Sequence, residues 1–340
     1  MESIGTREPA IDLMRFLGLV LIMVAHLNLP ADNIWFQLRT FDVPLMVFVS
    51  GLSYSGRSIQ SYPAFVAKRA ARILVPVYLF LTVFFLIHWA TAAAGWTDPV
   101  PQEKIVGSYM LRLKPSINFV WIFRVFLIVM LLTPPLVALD KRVKGWLPAV
   151  LVFALMLAVQ HVSILTLKPL KAGWFIDDWV LYAFGYGSVF YLGLAVRRSK
   201  PMQLLAIIAV LAAAFIPMAF GVAASKGSWL KMQSFKYPPG VYYLLWGALM
   251  SVVLWAGRKL WVPVLNWKPF LFIGSNTCWI YLWHIVFGYP YYRSDAVPYI
   301  WKFVLFLIVP SLIVFLQVML ANKLSQRGPG WNKVMKYFKG

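Results

Sequence analysis

Apolar residues run with few interruptions through ten stretches of this chain: 11–29, 39–56, 73–94, 118–139, 146–167, 178–196, 202–224, 239–257, 270–289 and 299–320. Each is near the length of about 20 helical residues that crosses a hydrocarbon layer about 30 Å thick. Unpaired backbone N–H and C=O groups cannot be left in lipid, so stretches of this length predict helices. The second is the most interrupted, holding Pro44, Gly51 and Gly56, with Ser50, Ser53 and Ser55 diluting its apolar character. The pattern predicts an all-α polytopic membrane protein, a bundle of about ten transmembrane helices forming one domain over residues 1–340. No internal repeat, low-complexity tract or linker interrupts the series.

Composition strengthens this picture. The chain is 61% hydrophobic and 13% charged, against about 45–50% and about 25% for a soluble protein. Its net charge of +21 would suggest nucleic acid in a soluble domain. Here the lysines and arginines sit between apolar stretches, which excludes a soluble DNA-binding domain and any nucleic-acid partner. They fall on the N-terminal side of the bundle in an excess of roughly two to one, which places both termini in the cytoplasm. Cys278 is the single cysteine, so no intrachain disulfide is expected. Glu2, Arg7 and Glu8 precede the first apolar stretch and no small-residue cleavage site follows it, so no cleaved signal peptide is expected. The loops are short, which puts the chemistry within the bilayer or at its edge.

Ionisable residues inside apolar helices cost at least about 2.5–3.5 kcal/mol, which makes them candidate functional groups. Arg15 and His26 stand eleven positions apart on the first stretch. At 100° and 1.5 Å per residue they share a helix face and lie roughly 16 Å apart along it. Asp12, one turn before Arg15, is placed to pair with it. The other histidines, His88, His161 and His284, also fall in odd-numbered stretches, toward the outer side. Asp42 opens the second stretch on that side, either as a carboxylate orienting His26 or as a helix-end charge. Arg124 lies about two turns inside the fourth stretch and is expected to face the bundle interior. Lys68, Arg69 and Arg72 lead into the third stretch, reading both as a topology signal and as a phosphate-binding cluster.

Four segments resemble acyltransferase family 3, integral membrane enzymes that O-acylate cell-surface glycans. They are Arg15 with His26, ten residues intervening; FDVPLMVFVSG from Phe41 to Gly51; Arg69 and Arg72 followed by Pro76 and Tyr78; and GSNTCWIYLWH from Gly274 to His284. The pieces WIFRVFLIVMLLTPPL and KYPPGVYYLLWGAL are similar to the branch containing fucose O-acetylases and exopolysaccharide acyltransferases. Asp42 stands where that branch often carries a histidine.

The resemblance implies a multi-pass protein of a bacterial cell membrane that moves an acyl group, most often acetyl, from cytosolic acyl-CoA to a glycan hydroxyl. It implies acetyl-CoA or another acyl-CoA as donor substrate and no metal. Its partners would be membrane lipid and a glycan acceptor, free or lipid-linked. Lys68, Arg69 and Arg72 would hold the donor's phosphates, with Arg15 lining the way inward. His26 would serve as general base or transient acyl carrier, with Asp42 beside it. Ser50, Ser275, Tyr281, His284 and Arg124 would bind substrate or stabilise the oxyanion. The competing function is a flippase or transporter for a lipid-linked sugar, against which the absent repeat symmetry weighs.

Overall fold

In the computed structural model, residues 8–54, 59, 61–291, 294 and 296–339 are described, and all regular structure among them is helical. In chain order the helices begin with α1 (Pro9–Ala25), α2 (Ile34–Leu38), α3 (Asp42–Leu52), α4 (Tyr62–Ala93) and α5 (Gln102–Tyr109). The middle of the chain forms α6 (Trp121–Arg142), α7 (Trp146–Leu167), α8 (Leu181–Arg197) and α9 (Pro201–Lys226). It continues with α10 (Val241–Ala256), α11 (Arg258–Leu265), α12 (Lys268–Ser275) and α13 (Thr277–Tyr291). The last elements are α14 (Tyr299–Phe303), α15 (Val309–Ser325) and α16 (Pro329–Met335). Wider π turns at Ile176–Val180 and Val304–Ile308 extend α8 backwards and join α14 to α15.

Six helical segments among the described residues are long and apolar enough to cross a membrane, and up to eight are if each of two bent pairs is one span. The six are Tyr62–Ala93, Trp121–Arg142, Trp146–Leu167, Ile176–Arg197, Pro201–Lys226 and Tyr299–Ser325. The bent pairs are α10 with α11, at 74°, and α12 with α13, at 85°. This differs from the ten expected. The stretch 11–29 becomes a 17-residue helix and 39–56 an 11-residue one; at 1.5 Å per residue, α3 is too short to cross the layer by itself. The stretch 270–289 breaks at Asn276, between α12 and α13.

The chain forms two compact units. The first contains the described residues of Met1–Ala25, Leu29–Gln60 and Ile128–Ser275. Its centre is α3, where Asp42–Val49, Gly51 and Leu52 are all buried, packed chiefly on α8, α1 and α10. The contact with α8 is a small-residue crossing. A Cβ on Gly51 would lie 2.2 Å from the Phe190 carbonyl oxygen, and one on Gly193 would lie 2.3 Å from that of Phe48. Glycine at both positions lets the two backbones touch, the usual basis of close packing between apolar helices. This explains why the second stretch carries glycine despite its helical cost.

The second unit contains His26–Asn28 and the described residues of Ser61–Leu127 and Asn276–Gly340. Within it α4, started by the Ser61 side chain accepting from the Ala64 N–H, packs against α5 and α13. Helix α13 also packs on α15, and α16 folds back on α15. The indole N–H of Trp279 donates to the Tyr337 carbonyl at 2.7 Å, fastening the residues after α16 onto α13.

Candidate active site

His26 is the first residue after α1, and α13 carries His284 across a sequence separation of 258. Inside the second unit the two imidazoles meet, with Nε2 of His284 3.0 Å from Nδ1 of His26. Their rings are nearly parallel, inclined by 8°. His284 is completely buried and His26 half-buried. Nδ1 of His284 contacts the Tyr281 carbonyl oxygen one turn earlier. Phe119 packs its edge against both imidazoles, at ring-centre distances of 4.8 and 5.5 Å. Its carbonyl accepts the Tyr281 hydroxyl at 2.6 Å.

This chain of contacts assigns the protons. A carbonyl only accepts, so the Tyr281 contact requires His284 to carry its proton on Nδ1. Neutral His284 then presents a bare Nε2, and the 3.0 Å contact requires the bridging hydrogen to sit on Nδ1 of His26. Nε2 of neutral His26 keeps its lone pair. If that nitrogen takes a proton, the imidazolium's Nδ1–H already points at an acceptor. This is the arrangement of a base held in one tautomer by a third group, with a histidine and a backbone carbonyl where a carboxylate often stands.

Other predicted residues of the second unit lie apart in role. Arg124 is fully buried and donates to the Leu111 carbonyl at 2.9 Å, tying α6 to the turn after α5. The single hydroxyl hydrogen of Tyr281 goes to Phe119, so Tyr281 orders the pocket around the imidazoles. Lys68, Arg69 and Arg72 are exposed along the N-terminal part of α4, with the Arg69 guanidinium 5.5 Å from the Phe65 ring. Their exposed positive charge suits an anionic ligand.

Arg15, Asp42, Ser50 and Ser275 belong to the first unit. Arg15 pairs with Asp12 at 2.9 Å, as the one-turn spacing predicts, and donates to Ser53 at 2.8 Å. The Ser50 and Ser275 hydroxyls donate to carbonyls of their own helices, Met46 and Phe272. Asp42, expected beside His26, has its carboxylate taken up by Arg39 at 2.7 Å and by Lys236 at 3.0 and 3.1 Å. It also accepts the Val43 N–H. Within the second unit, His284 meets the His26 imidazole at hydrogen-bond distance.

Arg39, Asp42 and Lys236 are each at most 4% exposed. Gln233 receives a bond from Arg39, and the Gln233 N–H donates to Gln37. Burial pushes the Lys236 amine down to about 8, with Asp42 acting in the opposite direction. Burial, reinforced by Asp42, pushes the neighbouring Tyr237 hydroxyl well up. Neither Arg39 nor Lys236 figured among the sequence candidates. The i, i+3 spacing of Arg39 and Asp42 was a usable signal, whereas Lys236 lies 194 positions away.

The family model described as Acyltransferase domain (Acyl_transf_3) matches residues 8–321. No curated protein matches the chain. The matched range takes in α1, α4, α13 and the histidine pair, and it covers most of the 340 residues. With several apolar helices long enough to cross a membrane, the chain belongs to the acyltransferase family 3 and is a membrane acyltransferase acting on groups other than amino-acyl groups.

Proposed function

We propose that this enzyme transfers an acyl group, most simply acetyl, from cytosolic acyl-CoA to a hydroxyl of a cell-surface or lipid-linked glycan, in a bacterial cell membrane with both termini cytoplasmic. The observation that carries the reading is the hydrogen-bonded series His26–His284–Tyr281 carbonyl. It sets the His26 imidazole against a fully buried partner, the arrangement in which a neutral imidazole serves as a base.

Nε2 of His26 takes the proton of the acceptor hydroxyl as its oxygen attacks the thioester carbonyl. The tetrahedral intermediate collapses with cleavage of the C–S bond. The proton held by His26 passes to the departing thiolate, so ester and free thiol leave the enzyme in its starting state. His284 is a positioning residue. It accepts from Nδ1–H of His26 throughout, favouring the imidazolium in the transition state. General-base assistance of this kind contributes about 10²–10⁴-fold.

The exposed cations Lys68, Arg69 and Arg72 are the groups we assign to the donor's phosphates, by charge-assisted hydrogen bonds. Arg15 is held by Asp12 and Ser53 within the first unit. Of the candidate oxyanion donors, Tyr281 and Arg124 lie in the second unit with His26; the Tyr281 hydroxyl already donates to Phe119, so Arg124 is the donor we assign. Asp42 supports the fold around the second stretch.

Mass spectrometry of the surface glycan tests this reading, comparing a deletion strain complemented with the wild-type gene or with His26→Ala. The expected result is an acyl mass increment restored by wild type alone. Restoration by both would remove His26 from the chemistry. Loss of surface glycan with its acylation intact would favour a flippase.

A further inference from the structure

Lys302 stands in α14, near the start of the apolar segment Tyr299–Ser325. It is 1% exposed, and its ammonium lies 5.6 Å from the Tyr299 ring. That ring attracts the charge but makes no hydrogen bond to it. Among the described residues, the Lys302 side chain has neither an ion pair nor a hydrogen bond. The other buried cations of the chain are held differently, Arg39 and Lys236 by a carboxylate and Arg124 by a carbonyl oxygen. Taking a charge out of water without such a partner is costly, and an ionisable group inside an apolar helix marks function by default.

The place of Lys302 follows from its neighbours in the second unit. Phe306, four residues on, packs against His284 with ring centres 6.4 Å apart. That spacing puts Lys302 on the same helix face, about 6 Å nearer the start of the helix. The chain turns back between Tyr291 and Tyr299, and the two arms pack together, so they run antiparallel. Lys302 is therefore level with the turn of α13 that follows His284, near Tyr289. Its flexible four-carbon stem brings the ammonium within reach of a substrate held at the imidazole pair.

The order of groups along the unit identifies that substrate. Tyr289 lies against Phe84 and His88, at ring distances of 5.6 and 5.5 Å. Earlier on α13, Trp279 and Trp283 share a cavity wall with Leu79 and Val83 of α4, so the two helices run side by side in one direction. Arg72 precedes His88 by about 24 Å along α4, at 1.5 Å per residue. The sequence in space is the Lys68–Arg72 cations, then the imidazole pair, then Lys302. A donor with its phosphates at the first and its thioester at the second brings no anion to the third, since an acetyl group is uncharged. The acceptor enters from that end.

We propose that Lys302 binds an anionic group of the acceptor glycan, a carboxylate or phosphate oxygen, by a charge-assisted hydrogen bond, and so selects an acidic glycan over a neutral one. The inference rests on the assignment of His26 and His284 as the transfer centre and of Lys68, Arg69 and Arg72 as the donor site. It adds the class of acceptor and the residue that recognises it.

The test uses the full chain in nanodiscs and the surface glycan isolated from a deletion strain, either untreated, carboxyl-reduced or dephosphorylated. Glycan binding is read in a His26→Ala background, and acyl transfer from acetyl-CoA with His26 present. One of the two treatments should weaken binding at least about tenfold, which tells carboxylate from phosphate. Lys302→Gln should weaken binding of the untreated glycan by a similar factor and leave binding of that treated glycan unchanged. Lys302→Arg should keep the preference. The KM for acetyl-CoA should stay within about twofold in each variant. Lys302→Met removes the unpaired charge and should raise the melting temperature. Equal binding of all three glycans, or an equal loss on all three in Lys302→Gln, would overturn the proposal. So would a raised donor KM, which would give the anion to the donor, or a lowered melting temperature with the glycan preference intact, which would make the lysine structural. Because binding is read without His26, transfer that survived His26→Ala would overturn the catalytic assignment while leaving the Lys302-dependent preference measurable.

Discussion

A neutral imidazole is a base only at the nitrogen that lacks the proton, and at His26 the choice is made two residues away in the bonding series, at the Tyr281 carbonyl. Asparagine at position 284 could imitate part of this, since its amide donates and accepts. His284→Asn should therefore retain more transfer than His284→Leu, read as kcat with KM for the donor unchanged. Asp42 presents a different case, a carboxylate held between Arg39 and Lys236. Asp42→Asn leaves Arg39 and Lys236 buried without their counter-charge, a change that costs about 3–5 kcal/mol and should appear as a lowered melting temperature in detergent.

The same cluster has a pH signature. The Lys236 amine is held down at about 8 in the folded protein, from 10.5. Between those values the unfolded chain binds more protons than the folded one, so this group's contribution to stability rises with pH across that window. Below about pH 8 both states are protonated, and the burial of the charge is a constant penalty. Tyr237, pushed upward, acts oppositely only above about pH 10. Melting temperatures from pH 8 to 9.5 should rise more steeply for wild type than for Lys236→Met; parallel curves would contradict the assignment.

At the scale of elements, two glycines make opposite predictions. Gly193→Val drives a side chain into the Phe48 carbonyl across the α3–α8 crossing, where backbone cannot yield. Folded yield should fall sharply. Gly221, inside α9, has nothing within 4 Å of an added Cβ. Gly221→Ala should raise stability by up to about 1 kcal/mol through helix propensity, measured by thermal unfolding in the same detergent. On α4, Arg69→Glu with Arg72→Glu should raise the donor KM at least tenfold with kcat largely kept. A fall in kcat at unchanged KM would place these residues elsewhere in the cycle.

Helices were readable where apolar runs are long and end in strong signals. The stretch 146–167 coincides with α7, and 202–224 lies within α9. The shorter elements were not, because hydropathy counts apolar residues without seeing their partners. In 39–56 the apolar character of α3 reflects burial among α8, α1 and α10. In 270–289 the bend at Asn276 is hidden by the apolar residues on both sides. The local ion pair of Asp12 with Arg15 was legible, being one helical turn long. The pairing of His26 with His284, and of Asp42 with Lys236, was not, since nothing in a single sequence links positions 258 or 194 apart.

For the molecule as a whole, the function we propose requires an acyl-CoA donor and a glycan hydroxyl to meet at one imidazole. Lys68, Arg69 and Arg72, exposed on α4, suit capture of the polyanionic donor we propose. The most direct test is the rate of acyl transfer from radiolabelled acetyl-CoA to isolated glycan by purified wild type and His26→Ala, with donor binding measured on the same samples. The account predicts a loss of at least about 100-fold in transfer with donor affinity within a factor of about two. Transfer by His26→Ala at a rate close to wild type would contradict it.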